Sequence, residues 1–243
     1  MKRPVVEIVV PVLNEEAVLE KNMVHLYKWL DKNCDVTWVL TIFSNGSTDK
    51  TVEIGERLAK RFPRLQFKHI PQRGRANALR LAWKESRAQI VGYMDADLST
   101  ELDAFPKCLH LILDDKFDVA VGNRLSHESD IERRFFREVL SRGFNFLIKL
   151  FFPGTVIRDA QCGFKFVRKP VIDFLIPHLK EERWFLDTEL LVLAEQAGFS
   201  IAHVPVKWIE RKASTVRVFS TVRDQFLGLV RLRFRIWHLL SGS

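Results

Sequence analysis

Short apolar runs alternate along the first half of the chain with stretches in which apolar residues return every three or four positions. Residues 5–13, 36–43, 65–70 and 90–94 are the apolar runs, each closed by turn formers, and they read as buried strands. Between them the spacing predicts helices. Asn14 is placed as the N-cap of one carrying Val18, Leu19, His25, Leu26 and Trp29. The turn Ser44-Asn45-Gly46-Ser47-Thr48-Asp49 leads into another with Ile54, Leu58 and Ala59, and 74–87 is a loop and a helix. Strands alternating with helices of this length mean βαβ units, hence an α/β fold whose mostly parallel sheet has helices on both faces. Right-handed crossovers put the carboxyl ends of the strands on one edge, so Asn14-Glu15, Ser44–Asp49, Arg73-Gly74-Arg75 and Asp95–Asp97 should converge there.

Past Arg124 the pattern changes. Residues 131–152 form a helical stretch in which Phe135, Phe136, Val139, Leu140, Phe144, Leu147, Ile148 and Phe151 face Arg133, Arg134, Arg137 and Arg142. A second such stretch, 216–240, interleaves Val218, Phe219, Val222, Phe226, Leu229, Val230, Ile236 and Trp237 with Arg217, Arg223, Arg231, Arg233 and Arg235. Basic amphipathic helices rich in aromatics suit a membrane interface. Phe144 and Ile148 are expected on the lipid side, so that Glu there should weaken membrane association. Core packing is the alternative for part of each helix. Between the two lie a helix near 170–177, one ending at Gln196 before Gly198, and a strand over 200–208. The chain divides into a main domain, 1–215, which includes the helix about 131–152, and a C-terminal basic amphipathic helix, 216–243.

Composition narrows the partners. Among 243 residues, 38 Lys and Arg against 30 Asp and Glu leave a formal charge of +8, which suggests a phosphorylated substrate, a membrane surface or nucleic acid. The basic residues gather at 124–142 and 207–235. No nucleic-acid-binding module is present, and the arginines sit on amphipathic helices, so nucleic acid is the weakest of the three. Cys34, Cys108 and Cys162 lack metal-finger spacing and read as free thiols in a reducing compartment. There is no signal-peptide pattern, and no run approaches the roughly 20 apolar residues of a spanning helix.

The chemistry is concentrated after the fourth strand, in Asp95-Ala96-Asp97-Leu98-Ser99. Two carboxylates at i, i+2 on the carboxyl edge of a sheet can approach one hard divalent cation, which is usually completed by substrate phosphates. A plain Asx turn with Asp97 capping the next helix is the alternative.

With the other loops in order, the chain resembles the family 2 glycosyltransferases of GT-A fold, a Rossmann-like α/β architecture. Within them it looks like the polyprenyl-phosphate (dolichyl-phosphate) sugar synthases. The resemblance spans about residues 5–216. It rests on 11–16 (Pro11 to Glu16), 45–49 (Asn45 to Asp49), 73–79 (Arg73 to Leu79), 95–99 (Asp95 to Ser99), 122–124 (Gly122 to Arg124), 159–165 (Asp159 to Lys165) and 185–190 (Phe185 to Leu190). The 159–165 segment is similar to the glucosyl-type branch, which implies UDP-glucose as donor, with GDP-mannose next.

The resemblance further implies roles for particular residues. Pro11, Leu13, Asn14, Glu15, Ser44 and Ala96 would line the nucleotide-sugar site. Asp95 and Asp97, with Ser99 near them, would hold Mg²⁺ or Mn²⁺, and Arg75 and Lys165 would touch diphosphate or sugar. Arg124, Arg137 and Ser141 would bind the acceptor phosphate, and Arg211 and Ser214 lie where relatives have a loop that closes over the donor. Many relatives carry Asp where this chain has Ser44, which puts base specificity in question, and some carry a metal-binding Gln where it has Ser99. The implied reaction is an inverting transfer of a hexose to a polyprenyl or dolichyl monophosphate by an enzyme resting peripherally on the cytoplasmic face of a membrane. A phosphomonoester, with a second pKa of about 6, needs little help from a base. Asp187 and Glu189 are therefore base or orienting candidates, and a relative acting on a glycan hydroxyl would need one of them as a true base. A polymerase-like synthase is opposed by the missing spanning helices.

Overall fold

The computed structural model describes residues 5–126, 129, 131–132, 135–182, 184–209 and 218–241, with backbone alone at 131–132, 135–137, 218–221 and 237–241. The first half runs β1 (Val6–Val12), α1 (Leu19–Asn33), β2 (Trp38–Asn45), α2 (Thr51–Arg61), β3 (Leu65–Ile70), α3 (Arg75–Glu85), β4 (Ile90–Met94), α4 (Ala104–Leu113) and β5 (Val119–Asn123). The second half runs β6 (Ile131–Glu132), α5 (Phe135–Phe151), β7 (Phe164–Arg168), α6 (Lys169–Leu175), α7 (Leu186–Gln196), β8 (Ile201–Pro205), β9 (Trp208–Ile209) and α8 (Val218–Ser241).

Seven strands make one sheet in the order β3-β2-β1-β4-β7-β5-β8. Every pairing is parallel except those of β7, which runs backward between β4 and β5, with Lys165 opposite both Tyr93 and Val121. The mostly parallel sheet expected from the apolar runs is present; the reversed strand was not read. Its position decides the site. Because β7 starts where β4 ends, with Phe164 paired to Met94, the segment 159–163 arrives beside Asp95 at the carboxyl edge. Gly92 makes the pairing possible: a Cβ there would lie 2.4 Å from the Phe166 ring.

The central strands are covered on both faces, so Val6, Ile8, Val9, Val10, Ile90 and Val91 are buried, as continuous apolar runs require. Asn14 does not cap α1, which starts at Leu19 after a turn. It adopts a left-handed φ of 54° instead and bonds sideways to the next loop. The strand expected over 200–208 is split into β8 and the short β9, which pairs with β6 in a separate two-stranded sheet.

α5 corrects the reading of its faces. Phe144 and Ile148 are buried, whereas Phe146 and Leu150 are each 65% exposed and Val139 stands out beside them. Phenylalanines occur all round this helix, so its phase could not be read from spacing. α8 is held down at Leu229, Leu232 and Ile236 and at Gly228, where a Cβ would lie 2.5 Å from Phe185. Two of its arginines serve that docking: Arg231 forks onto Glu181 at 2.8 and 3.0 Å, and Arg235 bonds Glu189. Phe151 of α5 meets Phe226 of α8 edge to face. No helix among the described residues is long and apolar enough to cross a membrane.

Candidate active site

Four loops meet at the carboxyl edge. The Asn14 backbone N–H donates to Ser47 Oγ, and Asn14 Oδ1 accepts from the Thr48 N–H at 2.8 Å. Glu15 N–H donates to Thr51 Oγ1, which ties the end of β1 to the start of α2. Asn45, buried at the end of β2, donates to Val12 O at 3.0 Å and accepts from the Gly74 N–H. Ser44 is buried between Ser47 Oγ at 2.9 Å and His69 Nδ1 at 3.1 Å. Pro11 ends buried, while Leu13 is 39% exposed on the rim.

At the centre stands Arg75, the first residue of α3. Its Nη2 donates to Asp95 Oδ1 at 2.8 Å and its Nη1 to Asp187 Oδ2 at 3.0 Å. The guanidinium also lies 5.0 Å from the ring centres of both Tyr93 and Trp184. Two carboxylates and two rings fix it, a use of the planar fork that a lysine could not reproduce. Asp95 itself leans on Gly163, where a Cβ would fall 1.9 Å from Oδ2, so only glycine fits there. Burial raises the Asp95 pKa, with Asp97 adding to it and Arg75 opposing. Asp97 accepts the Ser99 N–H on Oδ1 at 2.9 Å and Leu98 takes a φ of 52°, so the Asx turn forms; the helix it was to cap begins only at Ala104. Ala96 is steadied by the Asn22 side chain bonding its carbonyl at 2.9 Å.

Lys165 is a correction. It was expected at the diphosphate or sugar, but its side chain is wholly buried under the cluster. Nζ donates to Asp187 Oδ1 at 2.8 Å, Ala160 O at 3.0 Å, Tyr93 Oη at 3.1 Å and Cys162 O. A charge inside the sheet has to be matched by partners on every side. Burial pulls its pKa down to about 7 and pushes that of Asp187 up to about 6, the latter opposed by Arg75. Asp187 thus joins Arg75 to Lys165. Glu189 takes no part: it is fully buried, accepting the N–H groups of Lys180 and Glu181 and the Arg235 guanidinium.

Arg124 follows β5. Its Nε and Nη2 grip the buried Asp159 carboxylate at 2.8 and 2.9 Å, and its own N–H adds a third bond at 3.0 Å. Burial would raise the Asp159 pKa, but Arg124's charge and hydrogen bonds hold it below the usual carboxylate range. Asn145, buried on α5, accepts the Ala160 N–H at 3.0 Å and donates to Ser141 O, so α5 is stitched to the same segment. Arg137 lies one turn before Ser141 on α5, where its backbone alone is described. Arg211 and Ser214 lie outside the described residues.

The donor set fits a hard divalent cation completed by a ligand. Asp95 and Asp97 offer carboxylate oxygens, and the cluster carries three carboxylates against the two cations Arg75 and Lys165, an excess suited to Mg²⁺ or Mn²⁺. No group of three or more His, Cys, Asp or Glu among the described residues forms a complete metal cage, so substrate phosphates would fill the rest. The Ser99 hydroxyl is buried without a partner close to this turn.

Sequence reading missed Asp159, Asn145, His69 and Trp184. Asp159 and Gly163 stood inside a quoted motif, but nothing local showed that β7 reverses and carries them to Asp95. Trp184 precedes the quoted Phe185–Leu190 stretch, and only the fold puts it on Arg75.

The chain matches the family model for Glycosyl transferase family 2 over residues 7–175. It is 32% identical over 238 residues to Glycosyltransferase AglD of Haloferax volcanii, an alignment covering 97% of this chain and 37% of that protein. It thus spans well under half of that relative. It is also 31% identical over 252 residues to a dolichyl-phosphate beta-glucosyltransferase of Drosophila melanogaster, covering 96% of this chain and 77% of that one. Among solved structures, glucosyl-3-phosphoglycerate synthase of Mycobacterium tuberculosis, crystallised with Mn²⁺, UDP-glucose and phosphoglyceric acid, superposes with a TM-score of 0.69. That match covers 95% of this chain and 80% of the other at 16% identity, a likeness of fold.

Proposed function

The chain belongs to the family 2 glycosyl transferases, and we propose that it moves glucose from UDP-glucose to the phosphate of a polyprenyl or dolichyl phosphate, inverting the anomeric carbon. The observation that carries this reading is the pairing of two arginine centres on one edge: Arg75 among Asp95 and Asp187, and Arg124 on Asp159 beneath α5. The names of the relatives support the acceptor and the sugar.

In this reading the ends of β1 and β2 take the nucleoside, and Asp95 and Asp97 face the diphosphate. A bound Mg²⁺ or Mn²⁺ would neutralise charge on the departing nucleoside diphosphate. Arg75 aims Asp95 through its Nη2 bond, and its guanidinium opposes the rise in the Asp95 pKa that burial causes. Ser99 fixes one Asp97 oxygen. Arg124, clamped by Asp159, lends positive charge where an acceptor phosphate would attack in line, with Arg137 one helix away. Asp187 is only 7% exposed and bonded to two cations, which suits orientation rather than proton abstraction from a hydroxyl. That supports a phosphate acceptor over a glycan hydroxyl.

The acceptor's lipid would lie in a bilayer, and α5 and α8 suit that surface. Val139, Phe146 and Leu150 are exposed with Arg142 and Lys149 on α5, and Val222, Phe226, Leu227 and Phe234 with Arg223 and Arg233 on α8. These exposed faces support a peripheral position on a membrane, and the reading puts the enzyme on the cytoplasmic face, with which the three free thiols accord.

The test is transfer from labelled UDP-glucose and GDP-mannose to a short polyprenyl phosphate with Mg²⁺, Mn²⁺ or EDTA. Metal-dependent transfer from UDP-glucose is expected. Preference for GDP-mannose would replace the donor, and donor hydrolysis with unmodified lipid phosphate would remove the acceptor.

A further inference from the structure

A short strand that the proposed reaction leaves without a task joins the Asp95–Asp97 turn to Arg124. β9 and the preceding Lys207 run antiparallel beside the residues that follow that turn. The Glu101 N–H donates to Lys207 O at 2.9 Å, the Ile209 N–H donates to Ser99 O at 2.8 Å, and Thr100 pairs with Trp208 between them. Ser99 and Thr100 are buried, so these bonds are shielded from water. On its other side β9 pairs with β6, Trp208 opposite Ile131. Ser99 is also the residue whose N–H holds Asp97 Oδ1 at 2.9 Å, so β9 is bonded directly to what steadies the metal candidate. The approach to β9 is tied in turn to the residue before Arg124. Ser129 Oγ donates to Asn123 O at 2.6 Å and accepts the Val206 N–H at 3.4 Å.

Trp208 is the side chain that this strand brings to Arg124. The Arg124 guanidinium carbon lies 5.9 Å from the centre of its ring, within cation–π reach. Asp159 holds one side of the fork, from Nε to Nη2. Nη1 meets no acceptor among the described residues, which leaves it for an anion. A fork bonded along one side can still rock about that side, and a ring set against it restricts the rocking. Arg75 is built the same way, with carboxylates along the fork and the rings of Tyr93 and Trp184 beside it. At Arg124 the ring's own place is measured from the metal turn, through the backbone bonds of β9.

We propose that Trp208 is a positioning residue for the acceptor: through Arg124 it sets where an incoming phosphate lies relative to the Asp95–Asp97 turn. The inference rests on the polyprenyl-phosphate reading and goes beyond it, because it assigns the alignment of the two centres to a residue of a third element. The bonds that hold β9 are backbone bonds, so a replacement at 208 changes the neighbour of Arg124 and leaves the strand in place.

The experiment is steady-state transfer from UDP-glucose to a short polyprenyl phosphate with Mn²⁺, using the full chain, Trp208→Leu and Trp208→Phe, with thermal midpoints alongside. Leucine keeps an apolar side chain and removes the ring; phenylalanine keeps a π face. Trp208→Leu should raise the KM for polyprenyl phosphate about tenfold while the KM for UDP-glucose stays within about twofold. Trp208→Phe should bring the acceptor KM back to within about threefold of wild type. An acceptor KM that leucine does not move, or that leucine and phenylalanine raise equally, would overturn the inference. So would a rise of both KM values together with a fall in the thermal midpoint, which marks a merely structural role. Those outcomes leave the acceptor reading standing, since wild type still transfers. If wild type transfers nothing to polyprenyl phosphate, the acceptor reading fails and the inference goes with it.

Discussion

Arg75 and Arg124 sit at the same sheet edge and both are largely shielded from solvent, but they are held differently. Arg75 divides its guanidinium between carboxylates from the end of β4 and the first turn of α7, with a ring on each of two further sides. Arg124 gives three hydrogen bonds, one from its own backbone, to a single carboxylate that is completely buried. The first arrangement is a shared cation in a cluster with surplus negative charge, suited to receiving a metal and a diphosphate. The second is a closed pair whose geometry is set by the fold. One edge thus holds a centre that a ligand can rebalance and one that stands ready-made, and disturbing them should give different outcomes.

The largest effect is expected at the closed pair. Asp159→Asn leaves Arg124 as a mostly buried cation without its partner and should lower stability by about 3–5 kcal/mol in a urea titration. Asp159 has a folded pKa below its unfolded value, so its contribution is present above about pH 4 and is lost as the pH falls further. The wild type should therefore lose stability with acid below about pH 4 while the Asn variant shows a flatter profile there. At the shared centre, Asp97→Ala should leave the thermal midpoint nearly unchanged and cut transfer by about 10²–10³-fold in steady-state kinetics. Asp187→Asn should slow transfer about tenfold without abolishing it, since the residue orients Arg75 and Lys165. Smallest in energy is the outer face near the Arg124 side: Phe146→Glu with Leu150→Glu should reduce sedimentation with anionic liposomes severalfold and leave UDP-glucose affinity intact. Phe144→Glu, in contrast, should act on stability rather than on liposome binding, because it puts a charge against the core.

The edge of β1, β2 and β4 was legible because local signals suffice there. An apolar run says strand, a turn former says loop, and handed crossovers then gather the loops. β7 was not legible as a reversed strand: Phe164–Arg168 is short, and its direction depends on the whole connection from α5. For the same reason Asp159, Gly163 and Lys165 could be quoted as a motif while their work stayed hidden. The family resemblance alone put Lys165 at the diphosphate or sugar. Only the pairing with Tyr93 and Val121 turns it inward, under Asp187. The helices α5 and α8 failed in another way: phenylalanines on every side of α5 left its buried face undetermined. On α8 the arginines that face acids of the chain cannot be told by spacing from those that face outward.

The measurement that bears most directly on the paired arginine centres is a contest between two acceptors. Labelled glucose from UDP-glucose is offered to a short polyprenyl phosphate and to the same polyprenol without its phosphate, with Mn²⁺ present. Exclusive glucosylation of the phosphate, with a β linkage in the product, is the predicted result. Transfer to the free hydroxyl, or equal transfer to both, would contradict a phosphate site at Arg124 and return Asp187 to consideration as a base.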